Sequence, residues 1–297
     1  MSAIRLATLA GLFHPADCAG QASSVQPVWC APRRGDRPGA APKLLIVPHA
    51  GQVFARSIAG RAYARLGSCA AQIRRVVLLG PSRQPAMRGL AVPSLDAFDT
   101  PLGRVPIDAA ARDALNEFDH VVRDDRPHTL DQLLEIQLPL LQAALGKPFA
   151  LLPIAVGQVD SVQVAQVLER LWGGAETLFV VSTNLSRDLP YEGARCTDRM
   201  TVSRLLDLAT DFDPFEACGA RALNGAMMVA RQRRMHAELI DQRNSGDTGG
   251  ARHRVVGYAA LSLTEPLAFA SRAKQLRGPD SEPGGDGRLS RSSNRFA

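Results

Sequence analysis

Short apolar runs separated by longer helical patterns constrain the fold of this chain more than any other feature. The predicted strands are 43–47, 75–79, 90–92, 149–156, 177–181 and 255–263. Several of these runs are apolar at every position, which is typical of strands that are covered on both faces. Strands alternating with helices predict an α/β fold with a mostly parallel or mixed central sheet flanked by helices.

Helical periodicity fills most of the segments between these strands. The predicted helices are 56–66, 108–117, 130–145, 161–172, 191–209 and 214–235. In the third segment, apolar residues and one glutamine recur at steps of three and four residues, which marks one buried helical face. The positions on this face are Leu130, Leu133, Leu134, Gln137, Leu138 and Leu141.

Length and composition favour one large domain followed by a tail. The chain has 297 residues, of which 45% are hydrophobic and 22% charged, and this is ordinary usage for a globular protein. We predict a single domain over residues 1–270, with a loop at 31–42 and a disordered basic tail at 271–297. Both segments are rich in Pro, Gly and charge, which favours loops over regular elements.

Several classes of protein are disfavoured by the same composition. No apolar run approaches the roughly 18 residues that a spanning helix needs, so we expect a cytoplasmic protein with no membrane partner. The five cysteines form no C-x-x-C pair, which argues against a disulfide framework or a zinc knuckle. The net charge of +6 lies partly in the tail, and aromatic residues are only 5% of the chain. We therefore expect no nucleic-acid partner.

Polar segments follow three of the predicted strands, at the point where each strand ends. They are PHAG at 48–51, GPSR at 80–83 and STNLSR at 182–187. Ligands of open α/β sheets gather beyond the carboxyl ends of the strands. The sequence therefore predicts that a functional site lies along this edge of the sheet.

Ten segments, in order along the chain, resemble the Memo-like family. They are AGLFHP, VPHAG, LLGPS, DTPLG, LLEIQLP, LPIAVG, STNLS, ACGARA, SGD and VVGYA, and they span nearly all of residues 10–263. The resemblance implies a fold similar to that of class III extradiol dioxygenases. It also implies an AMMECR-type protein and a radical SAM protein as partners, as in the AmmeMemoRadiSam system.

The resemblance further implies a metal site formed by two histidines and a cysteine. His49 and Cys218 match the first and third of these ligands, whereas Arg83 stands where the family has the second histidine. Imidazole nitrogen and thiolate sulfur are good ligands for iron, copper or zinc. A guanidinium group has no free electron pair and stays charged, so Arg83 predicts a degenerate metal pocket.

Other polar positions of the family pattern are partly changed. Gln132 and Arg187 stand where the family has histidines, and Asn184 replaces an aspartate, which removes groups that titrate near neutral pH. His128 and Glu135 are kept, and the resemblance assigns them a catalytic role. We predict that four changed positions line the cofactor or ligand pocket: Arg83, Gln132, Asn184 and Arg187.

Each retained residue also has a purely structural interpretation. His49 could hydrogen-bond a loop carbonyl, and Cys218 could be a small buried hydrophobic residue. His128 could simply begin a helix. Glu135 lies beside a leucine stripe, where a buried carboxylate needs a partner, so an ion pair explains it as well as a site role does.

Two functions remain open at this point. The favoured one is a non-catalytic small-molecule-binding or interaction protein, in which Arg83 and Arg187 either drifted on the surface or hold a small anionic ligand in place of the ion. The alternative is a non-haem, metal-dependent dioxygenase-like or redox enzyme that acts on a small molecule, with His49 and Cys218 as its ligands. Arg83 is the reason for favouring the first.

Overall fold

A computed structural model of the protein describes residues 3–7, 41–49, 52–84 and 86–266, with the side chains of 52–56 outside that description. The strands in this part are β1 Ile4–Arg5, β2 Leu44–Val47, β3 Arg75–Pro81, β4 Leu90–Val92, β5 Ala97–Phe98, β6 Val105–Pro106, β7 Val121–Arg123, β8 Ala150–Val156, β9 Thr177–Ser182, β10 Arg187–Leu189, β11 His236–Asn244 and β12 Val255–Thr264. The helices are α1 Gln52–Ala64, α2 Ala109–Asp113, α3 Arg126–Leu130, α4 Leu138–Leu145, α5 Ser161–Leu171, α6 Tyr191–Leu206 and α7 Ala220–Gln232, with 3-10 turns at Glu135–Gln137 and Ser245–Asp247.

A mixed sheet of nine strands forms the centre of the described part. Its order is β11-β12-β2-β9-β3-β8-β4-β7, and β10 pairs with the beginning of β12. Strands β2, β9, β3 and β8 are parallel to one another, whereas β12 and β4 run antiparallel to their neighbours β2 and β8. A small second sheet has the order β1-β5-β6. The predicted α/β class, with a mixed central sheet flanked by helices, is confirmed.

The central sheet is buried on both faces, as the continuous apolar runs predicted. Leu44 and Ile46 of β2 belong to one hydrophobic core, which includes residues of α5, α6 and α7. Leu45 and Val47 of the same strand point to the opposite core, which includes residues of α1 and α4. Successive side chains of a strand alternate between faces, so an uninterrupted apolar strand has to be covered on both sides.

The parallel strands bring three polar segments to one edge of the sheet. Val47 pairs with Ser182, the last residue of β9, and β3 continues on the other side of β9 as far as Pro81. The segments that follow these strands therefore lie beside one another, because parallel strands end at the same edge. This edge is where the polar segments were expected.

The prediction of one helix over 130–145 is wrong. The chain forms α3, then an extended residue, Asp131 (φ −100°, ψ 114°), then a 3-10 turn, and α4 starts only at Leu138 with Pro139 in its first turn. Proline is favoured there because the first helical N–H groups have no partner inside the helix. The leucine pattern thus extends across three short elements that share a buried side.

Two other predicted helices are longer than the observed ones. The helix predicted over 108–117 ends at Asp113, and the one predicted over 214–235 begins at Ala220, after Gly219. Gly219 has φ −96° and ψ 25°, outside the helical region, so the cysteine before it lies in a loop. Cys218 therefore lies just before the start of α7 instead of inside the helix.

Strand β11 was missed by the sequence analysis. Its residues, HAELIDQRN, are mostly polar, yet it pairs antiparallel with β12 along almost its whole length. Edge strands need fewer apolar residues, because one side and part of one face meet solvent. The polar composition of β11 therefore did not indicate a strand, although β11 borders a cavity.

The remaining predictions about organisation concern the chain ends. The described residues up to Pro266 belong to one compact unit. The predicted loop at 31–42 and tail at 271–297 fall almost entirely outside the described residues, as does the AGLFHP segment, so these stay predictions. None of the helices in the described part combines the length and apolar character that a membrane crossing requires.

Candidate functional site

His49 and Cys218, the two predicted metal ligands, meet at the carboxyl edge of the sheet. The Nε2 atom of His49 lies 3.3 Å from the Sγ atom of Cys218. His49 follows β2 and is 4% exposed, and Cys218 precedes α7. Residues 169 positions apart in the chain thus form one pair, and this pair is the centre of the candidate site.

The sulfur atom of Cys218 is surrounded by hydrogen-bond donors. The Asn184 backbone N–H donates to Sγ at 3.2 Å, and the Thr183 hydroxyl lies at 3.7 Å. Burial raises the pKa of Cys218, but the neighbouring His49 and these donors lower it by more, which leaves the pKa at about 7. The thiolate is therefore accessible near neutral pH.

Asn184 fixes the backbone of His49 through both ends of its amide. Its Oδ1 accepts from the His49 N–H at 2.9 Å, and its Nδ2 donates to the His49 carbonyl at 3.2 Å. An ionised aspartate, which the family pattern has at this position, could accept the first bond but could not donate the second. The asparagine therefore adds a structural clamp to the site.

A buried series of hydrogen bonds supports the imidazole of His49 on its Nδ1 side. His49 Nδ1 lies 3.1 Å from Ser182 Oγ, which accepts from Gln137 Nε2 at 2.9 Å. Gln137 also donates to the carbonyl of Pro48 at 3.0 Å and accepts from the Tyr63 hydroxyl at 2.9 Å. Gln137 and Tyr63 were not assigned to the site from the sequence, and Ser182 was included only as the first residue of the polar segment 182–187. The signal for Gln137 was a glutamine on an otherwise apolar helical face.

Arg83 lies on the loop after β3, and Asp131 holds that loop in place. The Asp131 carboxylate accepts from the Arg83 N–H at 2.7 Å and from the Ser82 hydroxyl at 3.0 Å. The Arg83 side chain itself is exposed. The extended backbone at Asp131 that interrupts the predicted helix thus has a role, because it turns this carboxylate toward the end of β3.

The other predicted pocket positions are more dispersed. Gln132 is partly buried next to Asp131, and Arg187 is an exposed residue of β10. Among the described residues, no hydrogen bond or ion pair joins Arg83 or Arg187 to the other, to His49 or to Cys218. This placement favours the simpler interpretation, in which both arginines are surface residues, over convergence in one pocket.

His128 and Glu135 lie in a closed cluster built around Arg5. Glu135 forms an ion pair with Arg5 at 2.5 Å, both side chains being 2% exposed, and Arg5 Nε donates to the His128 carbonyl. His128 Nε2 lies 3.1 Å from the Ala91 carbonyl, and its ring packs edge-on against Phe98. Burial lowers the pKa of His128 to about 4. These contacts favour the structural interpretation of both residues, and their catalytic role stays a prediction.

A small cavity of about 60 Å³ opens beside Cys218. Apolar side chains such as Pro81 and Val156 line it together with Ser82, Cys218 and Arg221, and most of its exposed surface is polar. Catalytic metal sites usually have three protein ligands and an open position. The described residues supply His49 and Cys218 and contain no group of three His, Cys, Asp or Glu side chains arranged for a metal ion, so they do not fit the expected triad.

Comparison with known proteins matches the chain to the model of the Memo-like protein family over residues 5–262. The protein belongs to the Memo-like family. A MEMO1 family protein of Aquifex aeolicus is 30% identical over 87% of this chain and 98% of its own length. Similar proteins of the same description occur in Aeropyrum pernix (30% identical over 88% of this chain and 99% of the relative) and Methanopyrus kandleri (29%, 86% and 98%). The resemblance carried by the ten sequence segments is confirmed.

Proposed function

We propose that this Memo-like protein is a non-catalytic binding protein, whose cleft at His49 and Cys218 takes a small anionic molecule instead of a catalytic metal ion. The observation that carries the proposal is Arg83, a permanent cation at the position to which the family resemblance assigns the second histidine. A guanidinium group repels a divalent cation and donates hydrogen bonds without accepting any. The pocket is in this sense degenerate.

The charges around the cleft support an anionic ligand. Arg221, in the first turn of α7, borders the 60 Å³ cavity together with Cys218, and Arg83 is exposed on the neighbouring loop. Arginine binds carboxylate and phosphate groups through two parallel hydrogen bonds. The cavity measures only about 60 Å³ and more of its exposed surface is polar than apolar, so a small ligand with one anionic group suits it best.

A metal-dependent oxidoreductase is the second candidate, and the distance between His49 and Cys218 favours it. Ligands of one tetrahedral ion, at about 2.1 Å for nitrogen and about 2.3 Å for sulfur, lie roughly 3.6 Å apart. The observed separation of 3.3 Å is close to that value. An ion held by this pair would supply Lewis acidity or electron transfer, but Arg83 leaves it short of a third ligand.

Metal analysis of untagged protein separates the two candidates. We expect iron, copper and zinc far below one ion per chain in the parent protein. The variant Arg83→His restores the ligand type, and Arg83→Gln is its matched control, because it removes the charge without adding a ligand. We expect Arg83→His to bind more metal than Arg83→Gln. One ion per chain in the parent, lost in His49→Ala, would refute the proposal.

Calorimetric titration with acetate and inorganic phosphate tests the anionic ligand directly. Arg221→Gln should weaken binding of the preferred anion about tenfold, because a charge-assisted hydrogen bond is lost. Arg231→Gln is the matched control, since Arg231 is exposed near the other end of the same helix. Equal affinities in the parent and Arg221→Gln proteins would exclude Arg221 as the ligand's partner.

The proposal includes a cytoplasmic location and two partners implied by the family, an AMMECR-type protein and a radical SAM protein. Cys69, Cys196 and Cys218 are free thiols, which suits a reducing compartment. Co-expression with the two partner types should yield a complex that elutes together in size-exclusion chromatography. Separate elution of all three proteins at micromolar concentration would contradict the interaction.

A further inference from the structure

A second, larger cavity lies between α6 and the end of β11, and none of its lining residues borders the cleft beside Cys218. We call it the Tyr191–Asp247 pocket. Its volume is about 540 Å³, within the range of small-molecule sites, and its walls are mainly polar. The helix contributes Tyr191, Arg195, Asp198 and Arg199, and the strand and following 3-10 turn contribute the rest of the lining.

Ion pairs with the protein neutralise the arginines of this pocket only weakly. Arg199 is exposed and has no ion pair with any described residue. Within the described part of the chain, Arg195 pairs only with Glu192, at 3.2 Å; Glu192 is 78% exposed, and such surface pairs are weak. Arg243 shares the carboxylate of Asp241 with another arginine, Arg61. The pocket therefore presents guanidinium groups that an anion can still bind.

The carboxylates of the pocket are already engaged by the protein. Asp247 accepts from the Tyr191 hydroxyl at 2.5 Å and from the Asn244 N–H at 2.8 Å. Asp198 is 2% exposed and accepts from the Ser186 N–H at 3.0 Å, and burial raises its pKa, which disfavours its charged form. Neither side chain forms an ion pair with a described arginine of the pocket.

The walls of the pocket are held rigidly before any ligand binds. Asn244 is buried, and with Asp247 it forms a capping box on the 3-10 turn. The Tyr191 ring lies near two guanidinium groups, that of Arg252 at 4.4 Å and that of Arg195 at 5.7 Å. Binding then costs little ordering of the protein, which favours affinity.

We propose that the Tyr191–Asp247 pocket binds a small phosphorylated molecule that carries hydroxyl groups, with its phosphate on Arg195 and Arg199. A phosphate group offers three oxygens and up to two negative charges to these guanidinium groups, which is more than a carboxylate offers. The side chain of Gln242, which is only partly buried, supplies an amide group for a hydroxyl group of the ligand. The volume is far larger than an inorganic phosphate requires, so the ligand has an organic body.

Calorimetric titration of the full, untagged chain with ribose 5-phosphate tests this site, with ribose, inorganic phosphate and citrate as comparison probes. We expect ribose 5-phosphate to bind more tightly than each of the other three. Arg199→Gln should weaken its binding about tenfold or more, since a charge-assisted hydrogen bond is lost. Asp247→Asn should strengthen it severalfold, since a negative charge leaves the pocket while one acceptor oxygen remains.

The opposite signs of these two effects separate a binding role from a general structural disturbance. Arg221 and Arg231 lie outside the Tyr191–Asp247 pocket, so Arg221→Gln and Arg231→Gln should leave the affinity for ribose 5-phosphate unchanged. The result therefore does not depend on the ligand proposed for the cleft beside Cys218. Equal weakening by Arg199→Gln and Asp247→Asn, or no binding of ribose 5-phosphate at millimolar concentration, would overturn the proposal. Citrate binding as tightly as ribose 5-phosphate would overturn the preference for phosphate.

Discussion

Two histidines of this protein are almost equally buried, yet their surroundings differ in kind. His49 is 4% exposed and His128 2% exposed. Both ring nitrogens of His49 face side chains, Ser182 on one side and Cys218 on the other. The ring of His128 meets a backbone carbonyl through Nε2, and its Nδ1 has no hydrogen-bond partner among the described residues. Burial alone therefore does not distinguish the histidine of the candidate site from the histidine in the cluster around Arg5.

The partners of the two rings explain the difference. A carbonyl oxygen only accepts, so the neutral ring of His128 carries its hydrogen on Nε2 and has no group to which it can pass a proton. His49 lies between a thiol and a hydroxyl, and both of these can donate or accept. The Arg5 cluster around His128 is thus suited to hold the fold together, and the pair at His49 is suited to proton exchange with a ligand.

Breaking the ion pair of the Arg5 cluster should have the largest effect on stability. Glu135→Gln keeps the shape of the side chain but removes the carboxylate that forms the buried ion pair with Arg5, which costs about 3–5 kcal/mol. Urea unfolding, followed by circular dichroism, measures this loss. Glu117→Gln is the control, since it removes an exposed ion pair with Arg170 and should cost about 0.5 kcal/mol or less. Similar losses in both variants would show that Glu135 is not structural.

The buried ring of His128 should make stability depend on pH. Its pKa is lowered to about 4 in the folded protein, whereas the unfolded chain takes up this proton near pH 6.5. The unfolded state therefore binds more protons between these values, and the free energy of unfolding should fall by about 3 kcal/mol as pH drops from 6.5 to 4. His128→Gln should lack this part of the pH dependence in urea titrations. An identical pH profile in both proteins would contradict the assignment.

The sequence predicted the framework of the fold well and the cluster around His128 poorly. Continuous apolar runs such as β2 and β8 signal strands by their composition alone, and both were placed within one residue of their observed bounds. Arg5 lies about 130 residues from Glu135, so no local pattern links them. A buried carboxylate predicts that a partner exists, but only the folded chain identifies it.

The sequence also identified only some of the residues of the candidate site. Its outer members, His49 and Cys218, were found because they match a family pattern. Its inner members, Ser182, Gln137 and Tyr63, are joined by hydrogen bonds between α1, the 3-10 turn before α4 and the end of β9. Gln137 lies in an otherwise apolar segment, and the role of a polar group in such a place is visible only through its partners.

Alkylation of Cys218 tests the proton exchange expected at His49. In metal-free protein treated with iodoacetamide, the rate should rise with an apparent pKa of about 7 in the parent. His49→Ala removes the largest of the interactions that lower this pKa. The rate at pH 7 should therefore fall roughly fivefold, because the smaller thiolate fraction outweighs the greater nucleophilicity of each thiolate. Peptide mass spectrometry separates Cys218 from the exposed Cys196, which serves as the internal control. Unchanged Cys218 rates in His49→Ala would show that the pair is not coupled.

The series of buried hydrogen bonds from His49 through Ser182 and Gln137 to Tyr63 can be tested with two small changes. Ser182→Ala and Tyr63→Phe each remove one buried hydroxyl, and each should lower the free energy of unfolding by about 1 kcal/mol. Only Ser182 contacts the imidazole, at 3.1 Å, whereas Tyr63 reaches it through Gln137 and Ser182. We therefore expect Ser182→Ala to change the pH profile of Cys218 alkylation and Tyr63→Phe to leave it unchanged. If both variants changed the profile equally, the whole series of hydrogen bonds would act as one unit on His49, and the site would extend as far as α1.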